Sequence, residues 1–409
     1  MNYICLIDCD NFYASVEKIF NPSFRNRPLV VVSGKDGIVI ARSKEAKALN
    51  IPMCAPSFEY KSLFLKEDVI LRPPNFTLYK DMAERVRETV ATFNFPTFFY
   101  SIDEMFLKIP EEIYSPLLLE HMQQKIKRWT GIDVSIGISK TKTLAKIATH
   151  LAKKLPTHRK SLITQEEINI ELNSFTAQDI WGIGSASSKK LKENFVKTAK
   201  DLIDLNTPFL NKLLGLQGLR IVEELKGNNS YPFLQKDLNK SIQITKTFPS
   251  EISSINTLKE IISTFTADGC QKLRKIGKNA PYFHIFLESS RFKEKKTSFY
   301  KTFSLDEPSN YTPHFLALKE IFFEELIDDP ILIKRAGLCF SGLLPKEATQ
   351  TSLFSTKKQS NLMEPIDKIN AKFGKNTITF ACQSKSFQKN TPSCLKYTTS
   401  WDNLLKIHI

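Results

Sequence analysis

The 409-residue sequence contains no run of about 18 apolar residues, so no segment reads as a transmembrane helix. Its N-terminus lacks a basic flank followed by a long apolar stretch, and no export signal is expected there. The seven cysteines (Cys5, Cys9, Cys54, Cys270, Cys339, Cys382, Cys394) are scattered, odd in number and without CxxC spacing. That pattern excludes the usual disulfide framework and the usual zinc site, and it suits a reducing cytoplasm. With only six histidines, a histidine-based metal centre is not expected either. No internal repeat is evident. Acidic residues are outnumbered: 43 Asp and Glu stand against 58 Lys and Arg, a net charge of +15. An imbalance of that size favours a polyanionic partner, and with the membrane disfavoured, nucleic acid is the first candidate.

What is present is ample for packed cores, at 42% hydrophobic residues, and the length suggests two to four domains. The sequence is mixed α/β. YICLI reads as a buried strand, YASVEKIF as a short helix and RPLVVVSGKDGIVIARS as two strands about a Gly-containing turn. In LYKDMAERVRETVATF, Leu78, Met82, Val86 and Val90 recur every fourth residue, which predicts a helix with one buried face. FFYSIDEMFLKI is aromatic and branched but broken by Asp103 and Glu104, so a strand pair with acids at its bend is expected. DVSIGISKTKTLAKIATHLAKK reads as strand, turn and helix, with Leu144, Ala148 and Leu151 on one side and Lys142, Lys146 and Lys153 on the other. Such a basic face, taken alone, is most often merely solvated.

Farther on, DIWGIGSASSKKL predicts a tight Gly-Ile-Gly turn between helices. Gly182 and Gly184 would let backbone N–H groups approach a phosphate with Lys189 and Lys190 close behind, although a helix cap followed by a new helix explains the same letters. KGNNSYPFLQKDLNK reads as a linker before a second α/β unit beginning at SIQITKTF. Residues 271–301 of that unit carry nine Lys or Arg and two acids, interleaved with rings. Strands burying rings on one side and offering cations to phosphates on the other would fit. The last 64 residues carry ten Lys and four acids and are expected to be a partly ordered tail, in which QTSLF supplies a compact apolar pair able to anchor in a partner groove.

Two carboxylates alone mean little, but Asp8 ends one apolar strand and Asp103-Glu104 interrupts another. If those strands are neighbours, three acids meet, and such a cluster stays ionised only if cations neutralise it. Mg²⁺ is the natural partner because it takes oxygen ligands and keeps positions for water and phosphates. Two such ions point to phosphoryl or nucleotidyl transfer.

These motifs carry a resemblance. DCDNFYASVE followed by YSIDEMF resembles the paired active-site motifs of the Y-family translesion DNA polymerases. GIVIARSKEAKALNIPM, SIGISKTKTLAKIATHLAKK, DIWGIG and the closing DKIN…YTTSWDNL are similar to the UmuC branch of that family. The resemblance implies an α/β multidomain right-hand fold. It consists of a ferredoxin-like palm (1–18 and 75–165), small fingers (19–74), a helix-hairpin-helix thumb (166–230), a linker (231–241), an α/β little finger (242–345) and a tail (346–409). It implies error-prone, template-directed DNA synthesis past lesions in the DNA-damage (SOS) response, with two Mg²⁺ ions. Asp8, Asp103 and Glu104 would be the catalytic, metal-binding acids and the Cys9 carbonyl a further ligand. Asn11, Phe12 and Tyr13 would offer N–H groups to the triphosphate, Lys47 and Lys153 would grip it, and Tyr13 would be the steric gate against a ribose 2′-OH. Primer-template DNA and dNTPs are the implied substrates. The sliding clamp would be recruited through Gln350, Leu353 and Phe354, and a processed UmuD-type dimer and RecA are further implied partners. Lys47 stands where many relatives outside this branch have Arg, and Lys44 where they often have Tyr.

Two other classes remain open on sequence: a nucleotidyl cyclase built on a related palm, and a non-catalytic DNA-binding scaffold. Within the opening motif, Asp10 is expected to be structural, at a helix N-terminus, and Phe12 to be packed support beneath Tyr13.

Overall fold

The computed structural model describes residues 2–34, 37–234, 240–290, 293, 296–326, 332–348, 362–383 and 397–398. The chain divides into two compact units, residues 1–235 with 393–409, and 236–392. Among the described residues no helix is long and apolar enough to cross a membrane.

The first unit is organised by a five-stranded sheet. Its strands are β1 (Asn2–Cys9), β5 (Thr97–Phe99), β6 (Glu104–Pro110), β7 (Val134–Ser139) and β8 (Arg159–Leu162), in the order β5-β6-β1-β7-β8. Side chains alternate across a strand, so β1 sends Tyr3, Cys5, Ile7 and Cys9 to one face and Ile4, Leu6 and Asp8 to the other. The odd-numbered set packs against α4 (Phe76–Ala91) and α5 (Pro116–Thr130) through Leu78, Met82, Val86, Val90, Leu119, Met122 and Ile126. The four-residue spacing in α4 is therefore its core face. The opposite side of the sheet is covered by α6 (Lys142–Ala152). Gly137 on β7 makes that approach possible, since a Cβ there would stand 2.2 Å from the Thr149 amide nitrogen.

Between β1 and α4 the chain forms α1 (Phe12–Phe20) and a small sheet of β2 (Leu29–Val32), β3 (Val39–Arg42) and β4 (Ile70–Arg72), with α2 (Lys44–Ala48) and α3 (Lys61–Lys66). After β8 come four helices, α7 (Gln165–Ser174), α8 (Ser185–Glu193), α9 (Ala199–Ile203) and α10 (Thr207–Leu225). They share a core that includes Leu144, Ile147 and Ala148 of α6. The stretch read as a linker starts against α6. Lys142 Nζ donates to the carbonyls of Pro232 and Phe233 at 2.8 and 3.0 Å.

The second unit is a four-stranded antiparallel sheet in the order β11-β10-β12-β9. Its strands are β9 (Ser241–Ile252), β10 (Lys278–Glu288), β11 (Ser298–Ser309) and β12 (Ile333–Ser341). α11 (Ile255–Lys275) and α12 (Thr312–Glu324) supply Leu258, Ile262, Phe315 and Phe323 to the core beneath Phe283, Ile285 and Leu287. The rings do not all lie on the buried side, as the sequence suggested. Alternation puts Phe283 inside but leaves Tyr282 and Tyr300 45% and 65% exposed, with the Arg335 guanidinium over Phe286. The tail contributes α13 (Met363–Phe373), fastened to α11 by the two-pronged Arg274–Asp367 pair. Gln350, Leu353, Phe354 and Phe292 lie outside the described residues.

Candidate active site

The register of the first sheet places the acids. Asp8 pairs directly with Glu104 across β1 and β6, and the Cys9 amide donates to the Asp103 carbonyl at 2.9 Å. On β6, Met105, Leu107 and Ile109 face the α4–α5 core, so Glu104 and Phe106 face α6 as Asp8 does. Asp103 sits in the preceding turn, where its carboxylate accepts the Ser101 hydroxyl. Three acids from two distant segments thus gather at one end of the sheet.

Their charges are answered by the helix above them. Lys153, at the end of α6, donates to Asp8 Oδ2 at 2.7 Å, and Lys146, two turns earlier, reaches both Glu104 oxygens at 2.7 and 3.0 Å. Burial still dominates at Asp8: it pushes the carboxyl up to about 6 against the pull of Lys153, and the neighbouring Glu104 and Asp103 push the same way. Lys153 is held above its ordinary value; burial opposes its charge, but Asp8, Asp10 and Glu104 outweigh it. Among the described residues, no group of three His, Cys, Asp or Glu is placed to hold a metal ion. The side chains gathered at this end of the sheet, Asp8, Asp103 and Glu104, nonetheless offer only carboxylate oxygens, which is the chemistry a hard divalent cation takes.

The basic face of α6 is not the solvated face that a charge run usually makes. Lys142 is 3% exposed, with its ammonium 4.5 Å from the Phe98 ring centroid. Burial lowers its affinity for a proton, and the Glu224 carboxylate partly restores it.

Next to the acids the chain turns sharply. Asn11 takes a left-handed conformation (φ 52°, ψ 37°) just before α1, so the first-turn amides of Phe12 and Tyr13, without acceptors inside the helix, face outward from its end. The Asp10 side chain does not cap α1; it accepts the Ser135 hydroxyl at 2.8 Å and meets His158 Nδ1 at 3.0 Å. Phe12 is buried in the core. Tyr13 stacks on Tyr79 with ring centroids 4.3 Å apart. Tyr79 is fully buried and its hydroxyl donates to Glu17, which also takes Arg72 Nε at 3.0 Å. Sequence reasoning missed this Tyr79–Glu17–Arg72 buttress, for which an acid on the core side of α1 was the one available signal.

Lys47 is exposed and close enough to Lys153 and Arg42 that, after burial of its stem, their charges lower its proton affinity. Lys44 lines a cleft of about 670 Å³ with Asn11, Ser43, Arg25, Arg128 and His158. The three acids of that lining are already paired: Asp10 with His158, Glu45 with Lys18, and Asp133 with Lys127. Arg25, Lys44 and Arg128 make no ion pair among the described residues, so the cleft is electropositive.

Gly182 needs its left-handed φ of 94°, whereas Gly184, at the start of α8, has open space in front of it. Lys190 reaches the Leu213 carbonyl at 3.5 Å, and Lys189 lies 4.0 Å from Glu193 on the exposed side of α8.

This architecture is a known one. The chain superposes on a Y-family DNA polymerase chimera, Dbh-Dpo4(243-245)-Dbh, with a TM-score of 0.70 over 84% of this chain and 99% of that one, at 20% identity. Its fold is therefore that of the Y-family DNA polymerases. Residues 7–150 match the impB/mucB/samB family, 239–353 match that family's C-terminal domain, and 360–407 match a domain of unknown function. The chain belongs to the impB/mucB/samB family. Its relatives include Protein UmuC of Salmonella typhimurium, 29% identical over 98% of this chain and 99% of that protein. Protein ImpB of Salmonella typhimurium is also 29% identical, over 98% of each. DNA polymerase IV of Oceanobacillus iheyensis is 26% identical over 94% of this chain and 92% of that protein.

Proposed function

We propose that this chain is a template-directed, error-prone DNA polymerase that transfers nucleotides from dNTPs to a primer 3′-OH and extends primers past damaged bases. The observation that carries the reading is the strand register that sets Asp8 against Glu104 with Asp103 one residue away. Asp8, the Cys9 carbonyl, Asp103 and Glu104 would hold two Mg²⁺ ions, which when bound supply charge neutralisation for in-line displacement at the α-phosphate.

The chain's own groups do the rest. The amides of Asn11, Phe12 and Tyr13 and the ammonium groups of Lys47 and Lys153 bind the triphosphate, whose far end meets the electropositive cleft of Arg25, Lys44 and Arg128. Tyr13, braced on Tyr79, occupies the space a ribose 2′-OH would need. Gly182, Gly184, Lys189 and Lys190 contact backbone phosphates without reading sequence.

In this assignment the palm is 1–18 with 75–165, the fingers 19–74, the thumb 166–230 and the little finger 242–345. The sliding clamp binds through residues 350–354, and a UmuD-type dimer and RecA are the further partners, acting in the cytoplasm during the damage response.

Incorporation of a single dNTP opposite a defined template base, with and without an abasic site, tests the proposal. Insertion directed by the template and continuing at the abasic site supports it. Synthesis of a cyclic nucleotide without DNA, or binding of DNA without incorporation, overturns it.

A further inference from the structure

Lys146 combines a carboxylate partner with a cage of aromatic rings. Its ammonium donates to both oxygens of Glu104. It also stands 4.6 Å from the Tyr100 ring centroid, 5.5 Å from that of Trp181 and 6.0 Å from that of Phe106. The cage is itself braced. Trp181 meets Tyr100 edge to face at 5.5 Å and donates its indole N–H to the Tyr100 hydroxyl at 3.0 Å. The Tyr100 amide in turn bonds the Glu104 carbonyl at 3.1 Å, which ties the cage to the turn bearing Asp103. Lys153, the other counter-ion, has no ring within cation–π distance among the described residues and is 42% exposed, against 16% for Lys146.

We propose that Lys146 is a positioning residue: it keeps the Glu104 carboxylate turned into the site, and it yields that carboxylate to an arriving divalent cation while the Tyr100–Trp181 cage retains the ammonium. A lone ammonium cannot match a divalent ion on the same carboxylate. The π faces of the cage compensate the ammonium where few water molecules reach it. The inference rests on Glu104 being a cation ligand, as in the proposed function.

The test uses the full chain with Trp129 and Trp401 replaced by Phe, leaving Trp181 as the only indole, titrated with Ca²⁺ and followed by emission and by calorimetry. The expected result is a saturable change in Trp181 emission that tracks the calorimetric curve. Lys146→Met abolishes the emission change while tightening Ca²⁺ severalfold, and Lys146→Arg retains the change. Calorimetric binding with a silent Trp181, or a Lys146→Met protein with unaltered emission response and affinity, overturns the inference and leaves the polymerase reading standing. Absence of any Ca²⁺ binding overturns the inference together with the carboxylate assignment beneath it.

Discussion

Tyr13 lies nearly flat on Tyr79, their ring planes 14° apart, and Tyr79 is anchored through its hydroxyl to the buried Glu17. That stacking favours one placement of the Tyr13 ring, the one that in the proposed function takes the space of a ribose 2′-OH. Tyr13→Ala is expected to raise ribonucleotide incorporation by at least tenfold, about 1.4 kcal/mol of lost discrimination, measured as the ratio of kcat/KM for a dNTP and its rNTP. An unchanged ribose preference would remove Tyr13 from the gate.

Glu17 is 1% exposed and neutralised by Arg72. Glu17→Ala leaves the Arg72 guanidinium and the Tyr79 hydroxyl without their shared acceptor, a loss of roughly 3 kcal/mol for a broken buried pair. Thermal unfolding should shift down by about 5 to 10 °C, whereas Glu17→Gln, which keeps an acceptor for Tyr79, should fall between. A midpoint within a degree of the parent would show that the pair bears little of the stability of this region.

Lys47 is a flexible point charge beside Lys153, without the planar fork of an arginine. Lys47→Ala should raise the KM for dNTP several-fold with little change in the affinity for primer-template, and Lys47→Arg should lower it below the parent value. Equal losses in nucleotide and DNA affinity would place Lys47 outside the triphosphate site.

Deletion of residues 350–354 should reduce synthesis stimulated by the sliding clamp and leave distributive extension intact. Loss of both, measured on the same template with and without clamp, would indicate a folding defect in place of a lost partner contact.

Much of the site was legible because its signals are local. The recurrence of Leu78, Met82, Val86 and Val90 gave the core face of α4, and an acid ending one apolar segment with two acids interrupting another forecast the meeting of Asp8 with Glu104. The Glu17 buttress was not legible, because its partners lie 55 and 62 residues away and carry no periodic mark. The burial of two lysines of α6 was not legible for a related reason. A charge run looks solvated until the chain brings Phe98, Phe106 and Tyr100 against it, and burial then leaves Lys142 donating to backbone carbonyls and Lys146 paired with Glu104. The docking of α13 escaped notice as well, since Arg274 and Asp367 are 93 residues apart.

If Asp8, Asp103 and Glu104 form the catalytic centre of a template-directed polymerase, primer extension by the Asp103→Ala, Glu104→Ala double variant beside the parent shows it most directly. The parent is expected to extend the primer and the variant not to, with primer-template affinity preserved within about threefold, under 1 kcal/mol. Extension that survives the double substitution would contradict that assignment.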